Sequence, residues 1–361
     1  MRSHVWGGTA AAVLGALLVA GCGGGDGGGD GDGDGTANRA AGGADATGHP
    51  VTVTDCQGAG TTFRKPPEKI VTSNAAALEL LLRLGVGDKV IGTGFPPGKG
   101  TLPDGLDAQA RQVKVLSRTV IPKEKLLGSG ADLYIDTFAA MKMGGGMGDA
   151  PTEKEFQAAG IAHMHLKSTA CAARRSSPMT DLSAVEDDIT ALGKVTGTAP
   201  EAEKLVRGMR KKVDAVQKAV GSTPERKRPT YFFFDYDAGT KQPTAVCNRQ
   251  VAHAVITRAG ARNIFADCDG AFKKVGWEDV ISRNPDWIQL AVRNRGSAAA
   301  DEKAFDAARK WLETNSATKG LTAVKKGRFL RIHSERTTIA GVTDADTVEE
   351  IAETLYPGKV G

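Results

Sequence analysis

Residues 200–220 read PEAEKLVRGMRKKVDAVQKAV, with apolar side chains at Ala202, Leu205, Val206, Met209, Val213, Val216 and Val220. Steps of three and four set these on one stripe of an α-helix. Thr198 stands at the N-cap position with Glu201 three residues on. Pro200 suits the first turn, and Gly221 followed by Pro224 ends the pattern. About 21 residues at 1.5 Å each make a rod of roughly 30 Å. A one-sided rod of that length needs a partner along most of it, and a stretch of domain size lies on each side. We read 198–222 as a connecting backbone helix between an N-terminal lobe, 50–197, and a C-terminal lobe, 223–361.

Both flanks alternate short apolar runs with helical patterns. In the first, 69–73 reads as a buried strand, Ser73 or Asn74 caps a helix over 75–84, and Gly85 ends it. Strands over 88–92, 131–136 and 161–166 follow, with helices over 123–128 and 151–159 between them. Val185, Ile189 and Leu192 mark a last helix before the connector. In the second flank, strands fall at 229–234, 263–265 and 286–291, and helices at 249–259 and 277–282. Such alternation argues for mainly parallel sheets covered on both faces. The fold class is therefore α/β, two Rossmann-like lobes joined by one long helix, and 361 residues suffice for two cores. Glu124-Lys125-Leu126-Leu127-Gly128-Ser129-Gly130-Ala131-Asp132 can be laid on Glu278-Asp279-Val280-Ile281-Ser282-Arg283-Asn284-Pro285-Asp286, glutamate to aspartate eight residues apart in each. This repeat points to two copies of one unit.

The amino terminus carries Arg2, an apolar run over 10–20, and then Leu18-Val19-Ala20-Gly21-Cys22. The run is too short for a stable membrane anchor but fits a signal peptide over 1–21. Small residues before a cysteine resemble the lipobox of bacterial lipoproteins, in which the cysteine is lipidated and becomes the first residue. Residues 22–49, nearly all Gly, Asp and Ala, cannot bury enough apolar surface to fold and read as a flexible tether. An EF-hand look-alike at Asp30, Asp32 and Asp34 fails because its twelfth position is Ala41 rather than glutamate. The expected location is the extracytoplasmic face of the cell membrane, held by lipid on Cys22. Export makes Cys56, Cys171, Cys247 and Cys268 disulfide candidates, with three possible connectivities. Cys247 and Cys268 flank one helix–strand unit, which favours Cys247–Cys268 with Cys56–Cys171. The formal charge of +5 becomes +4 once Arg2 leaves with the signal peptide. That excess is small and scattered, and argues against nucleic acid.

Catalytic patterns fail when tested residue by residue. The stretch Gly92-Thr93-Gly94-Phe95-Pro96-Pro97-Gly98-Lys99-Gly100 has Thr93 where a phosphate loop needs its first glycine, and Gly100 where it needs a hydroxyl. Two prolines also remove N–H donors from the cradle. Gly128-Ser129-Gly130 precedes a strand, whereas a nucleophile elbow follows one. His163-Met164-His165 has a metal-ligand spacing on one strand face, but no neighbouring carboxylate or third histidine completes it in sequence, so no metal site is assigned. Met141, Met143 and Met147 in a Gly-rich loop fit adaptable contacts to a bulky ligand. Neither a nucleophile–base pair nor a carboxylate dyad stands out, so an enzyme is not expected.

Pro67-Glu68-Lys69-Ile70-Val71-Thr72-Ser73-Asn74 runs into Leu78-Glu79-Leu80-Leu81 and Leu84-Gly85-Val86-Gly87-Asp88-Lys89-Val90-Ile91-Gly92. With Asp188-Ile189, Gly260-Ala261-Arg262-Asn263-Ile264-Phe265 and the segment from Trp277 to Asp286, this series resembles the substrate-binding lipoproteins of ABC importers for ferric siderophores, cobalamin and haem. The resemblance covers about residues 50–357. It implies a ligand cleft between the lobes, small lobe motions about the long helix, and a partner made of an ABC permease with its ATPase. It further implies that Glu124 and Glu278, one per lobe, dock on permease arginines.

The same resemblance implies a transported metal chelate, a ferric siderophore first, with cobalamin or haem as alternatives. It implies no resident cofactor and a monomer. Open α/β sheets bind at strand carboxyl ends. The ligand residues expected there are Ser73, Asn74, Phe95, Thr137 and Phe138 in the first lobe. In the second they are Tyr236, Asn248, Arg249, Lys273, Trp277, Arg293 and Arg336. Tyr236 or His333 would be the haem ligand. A metal-ion-binding lipoprotein is the alternative from another class, with His163 and His165 as its ligands.

Overall fold

A computed structural model describes residues 48–138 and 150–360. The expected signal peptide, Cys22, most of the expected tether, and Met141, Met143 and Met147 lie outside the described residues. His49, placed in the tether by composition, is buried, with Nε2 3.1 Å from the Val195 carbonyl oxygen.

The N-terminal lobe opens with an antiparallel hairpin of β1 (Val51–Thr54) and β2 (Gly60–Phe63). It continues through β3 (Ile70–Thr72), α1 (Ala75–Arg83), β4 (Val90–Thr93), α2 (Asp104–Ala110), α3 (Lys123–Leu127), β5 (Leu133–Asp136), α4 (Glu153–Ala158), β6 (Ala162–His165), α5 (Lys167–Ala170) and α6 (Ser183–Thr196). Its sheet is parallel, in the order β4-β3-β5-β6. The connector is α7 (Ala199–Val220). Thr198 does not cap it through its side chain; its hydroxyl meets that of Thr196 at 2.8 Å.

The C-terminal lobe holds β7 (Thr230–Asp235), β8 (Thr244–Val246), α8 (Val251–Arg258), β9 (Arg262–Asn263), β10 (Phe272–Lys274), α9 (Trp277–Arg283), β11 (Trp287–Ala291), α10 (Ala298–Thr314), α11 (Thr322–Lys325), β12 (Phe329–Arg331), α12 (Ser334–Thr338) and α13 (Thr343–Leu355). Read from β9, its parallel sheet runs β9-β7-β11-β12, the same order as in the first lobe. The repeated segments occupy equivalent places: α3 leads into β5, and α9 leads into β11. Strand β7 is a continuous aromatic run because both its faces are covered. Tyr231 joins one core, while Phe232 and Phe234 pack with Trp277 and Trp311 in another.

The connecting helix is less a free strut than the middle of a shared core. Val206, Met209 and Val216 on its buried face belong to one apolar cluster with Leu78 and Leu81 of α1, Leu192 of α6, Val255 of α8, and Val348 and Ile351 of α13. Polar stitching adds to this: Ala340 N–H donates to Thr169 Oγ1 at 2.9 Å, and Met179 N–H to the Asn248 carbonyl at 2.7 Å. The β1–β2 hairpin is tied to the end of α5 by the Cys56–Cys171 disulfide, and Cys247 is bonded to Cys268.

Candidate functional site

Open α/β sheets bind ligand at their strand carboxyl ends, and the loops there carry the candidate residues. On the N-terminal side, Ser73, Asn74 and Thr137 are fully buried rather than ligand-facing. Asn74 Oδ1 accepts Ala77 N–H at 3.0 Å and so caps α1, its amide donates to Thr137 Oγ1, and Ser73 Oγ accepts Thr137 N–H at 3.1 Å. These three hold the ends of β3 and β5 together, because buried polar atoms must pair. They are three of the expected ligand residues, and the hydrogen bonds described for them are with one another and with α1. Phe95 and Phe138 are half-buried and meet edge to face, centroids 5.6 Å apart. Phe95 has φ +33°, in the left-handed region, and its carbonyl accepts Ala75 N–H at 3.0 Å. Such backbone costs about 1–3 kcal/mol and persists where surroundings over-determine it. Here it fixes the Phe95 backbone beside the Phe138 ring.

The opposing wall is charged. Tyr236 follows β7 and stacks edgewise on Phe234. Asp237 accepts Arg293 N–H at 2.7 Å and pairs with the Arg295 guanidinium. The Arg293 side chain is exposed, and its charge acts on Asp235 and Glu335. Burial pushes both carboxyls up, and Arg293 partly offsets it. Arg249 is paired with Asp269, and Lys273 is exposed on β10. His333 rests on the Phe305 ring, with Nε2 3.5 Å from Asp301, and so turns toward its own lobe.

Three further expected ligand residues have contacts within the protein. Trp277 is core, its indole N–H donating to the Thr240 carbonyl at 2.8 Å. Arg336 pairs with Glu350 at 2.7 Å, on the side where α12 meets α13. Asn248 presents its backbone to Met179 and Cys268, which makes it a lobe-to-lobe clasp.

At one edge the walls touch. A Cβ placed on Gly98 would lie 1.7 Å from Asn294 Oδ1, so only glycine allows this approach. A small crevice is lined by Thr169, Ala170, Ala172 and Ala173 of the first lobe and by Gln250, Ala271 and Phe272 of the second. Sequence reasoning did not single out the small residues after β6. Their signal was available, since they follow a strand carboxyl end and bracket Cys171.

The pairing of β5 with β6 sets Tyr134 beside His163 and Asp136 beside His165. Asp136 thus joins His163 and His165, and one ligand atom from each lies within 4.8 Å of the others. The linear sequence hid this carboxylate because it lies on the neighbouring strand. His163 Nε2 is 3.3 Å from Asp136 Oδ2, and its Nδ1 is 2.7 Å from Glu153 Oε1. Burial pulls the His163 imidazole down, but the two carboxylates more than reverse this and leave it raised. Burial and the neighbouring His163 lower His165. Glu124 and Glu278 both lie exposed in the first turns of α3 and α9, without an ion pair among the described residues.

A family model described as periplasmic binding protein matches residues 70–336. Over 359 residues the chain is 25% identical to the ABC transporter substrate-binding lipoprotein YvrC of Bacillus subtilis, covering 99% of this chain and 98% of that one. A cobalamin-binding protein of Halobacterium salinarum is 25% identical over 250 residues, which span 68% of this chain and 60% of that protein. A solved periplasmic binding protein from Veillonella parvula superposes with a TM-score of 0.70 at 26% identity, covering 86% of this chain and 98% of that one.

Proposed function

This chain belongs to the periplasmic binding protein family, and on that premise we propose that it captures a ferric siderophore for an ABC importer. It is a solute-binding protein and not an enzyme. The supporting observation is the contrast between the two lobes' strand-end loops: the Phe95–Phe138 pair in the first, and Arg293, Arg295 and Tyr236 in the second. Aromatic faces suit the apolar body of a chelate, and guanidinium donors suit its anionic oxygens. The relative named as a substrate-binding lipoprotein supports lipidation at Cys22, placement on the outer membrane face, and a permease with its ATPase as partners. Glu124 and Glu278 are the docking residues in this reading, one exposed glutamate at an equivalent helix start in each lobe. Cobalamin is the second reading, favoured by the relative of that name.

Isothermal titration of the protein with a ferric hydroxamate, a ferric catecholate, cobalamin and haemin tests the proposal. Saturable binding of a ferric chelate, weakened at least tenfold by Arg293→Glu and by Phe138→Ala, is the expected result. Binding of cobalamin alone would transfer the assignment to the second reading. Binding of haemin alone would overturn both.

A further inference from the structure

We infer that Asp136, His163 and His165 form a zinc-type divalent metal site in the N-terminal lobe, at the carboxyl ends of β5 and β6. Two imidazoles and one carboxylate are the donor set of three-ligand sites that keep a position for water. Asp136 Oδ2 and His163 Nε2 are 3.3 Å apart. That is long for a charged hydrogen bond, but it matches the edge of a tetrahedron with metal–ligand bonds of about 2.0 Å, which is about 3.3 Å.

His165 provides the independent observation. It is 8% exposed, its ring lies 4.2 Å from that of His163, and its buried Nδ1 has no hydrogen-bond partner among the described residues. An orphaned imidazole nitrogen costs free energy unless something fills its place. The proposal places a metal ion there, shared with the two neighbouring donors of the cluster.

The surrounding contacts are those of an oriented ligand shell. His163 Nδ1 faces Glu153 Oε1 at 2.7 Å, so a metal on Nε2 would leave Nδ1–H donating to a carboxylate. Phe138 N–H donates to Asp136 Oδ1 at 2.7 Å, leaving Oδ2 for the ion. Such outer contacts fix the tautomer and direction of metal ligands. Without metal, both ring nitrogens of His163 face carboxylate oxygens and need a proton each. Metal binding therefore replaces the Nε2 proton, which leaves to solvent. All three ligands come from β5 and β6, so the site stands whether or not the cleft takes a chelate. Its ion would brace the point at which β5 passes into Thr137 and Phe138.

The test titrates zinc chloride into the full chain after chelator stripping and dialysis, with cobalt(II) as the spectroscopic probe. One zinc per chain, a raised Tm, and tetrahedral visible bands with cobalt are expected. Asp136→Asn and His165→Gln should each weaken zinc at least tenfold while leaving the metal-free circular dichroism unchanged. Glu153→Gln should weaken it about tenfold. If Asp136→Asn fails to fold, His165→Gln and the ligand set seen by X-ray absorption on the wild type decide the matter. No stoichiometric zinc on the wild type, equal affinity in both ligand variants, or loss of binding in His333→Ala instead would overturn the site.

Discussion

The carboxylate of Asp286 accepts both the backbone N–H of Thr230, at 2.9 Å, and its hydroxyl, at 2.8 Å. The return bonds run from Asp286 N–H to the Thr230 carbonyl and hydroxyl. In the other lobe Asp132 does the same work, accepting Glu68 and Lys69 N–H at 2.8 and 3.0 Å while its own N–H donates to Lys69. Each aspartate closes the segment that starts eight residues earlier at Glu124 or Glu278, and each pins the start of a central strand. The two lobes therefore repeat down to single hydrogen bonds. Charged acceptors of this kind are worth about 1.5–3 kcal/mol. Asp286→Ala should lower the stability of the chain by about that much in urea unfolding, and Asp286→Asn by less.

Disulfide removal should be unequal. Cys56 and Cys171 are 115 residues apart, Cys247 and Cys268 only 21. In the chain-entropy model the longer closure stabilises by about 4–5 kcal/mol and the shorter by about 3. Replacing Cys56 and Cys171 together by serine should cost more in denaturant midpoint than replacing Cys247 and Cys268. The reverse order would show that native-state contacts around α5 matter less than those around α8.

Asp188 should make the chain more stable in mild acid than near neutral pH. Burial pushes its carboxyl up to about 6, although Lys167 N–H, Ser168 N–H and the Ser168 hydroxyl, at 2.8, 2.8 and 2.5 Å, hold it back. Its folded value lies above the unfolded value near 4, so the native state binds the proton more tightly. Stability from this group is complete below about pH 4 and is lost as pH rises through about 6, on the order of 2–3 kcal/mol. The difference between wild type and Asp188→Asn, followed by thermal unfolding from pH 4 to 7, should show that slope. A flat difference would remove it.

Gly98 sets how closely the cleft walls approach. Asn294 cannot simply swing aside, because its Oδ1 accepts Gly296 N–H at 2.8 Å and its backbone N–H donates to Glu335. Gly98→Ala should weaken chelate affinity about tenfold with little change in Tm, and Asn294→Gly in the same chain should restore it. Calorimetry on the single and double variants reads this directly.

Docking should be separable from binding. Exposed charges at an interface rim govern encounter and partner choice more than fold. Glu124→Arg with Glu278→Arg should abolish uptake in cells while ligand affinity and Tm stay within about twofold and a few degrees. Loss of affinity would place these glutamates in ligand binding instead.

Much of this architecture could be read from the chain alone, since its determinants are local. The stripe from Ala202 to Val220 encodes a helix whatever it packs against, and the run Tyr231-Phe232-Phe233-Phe234 encodes a strand covered on both faces. The eight-residue spacing in both halves announced the repeat. What lay beyond the sequence was everything set by register and by through-space packing. Ser73, Asn74 and Thr137 stand at strand ends, as expected, but their side chains satisfy one another instead of facing the cleft. Trp277 follows the same rule and is drawn into a four-ring core. The pairing of β5 with β6 sets Asp136 beside His165 across 29 residues of sequence; a slip of one residue would have turned that carboxylate to the other face. Periodicity specifies which face of an element is apolar, because it is a property of neighbours along the chain. Which polar groups then meet is decided only once the sheets and the long helix share a core.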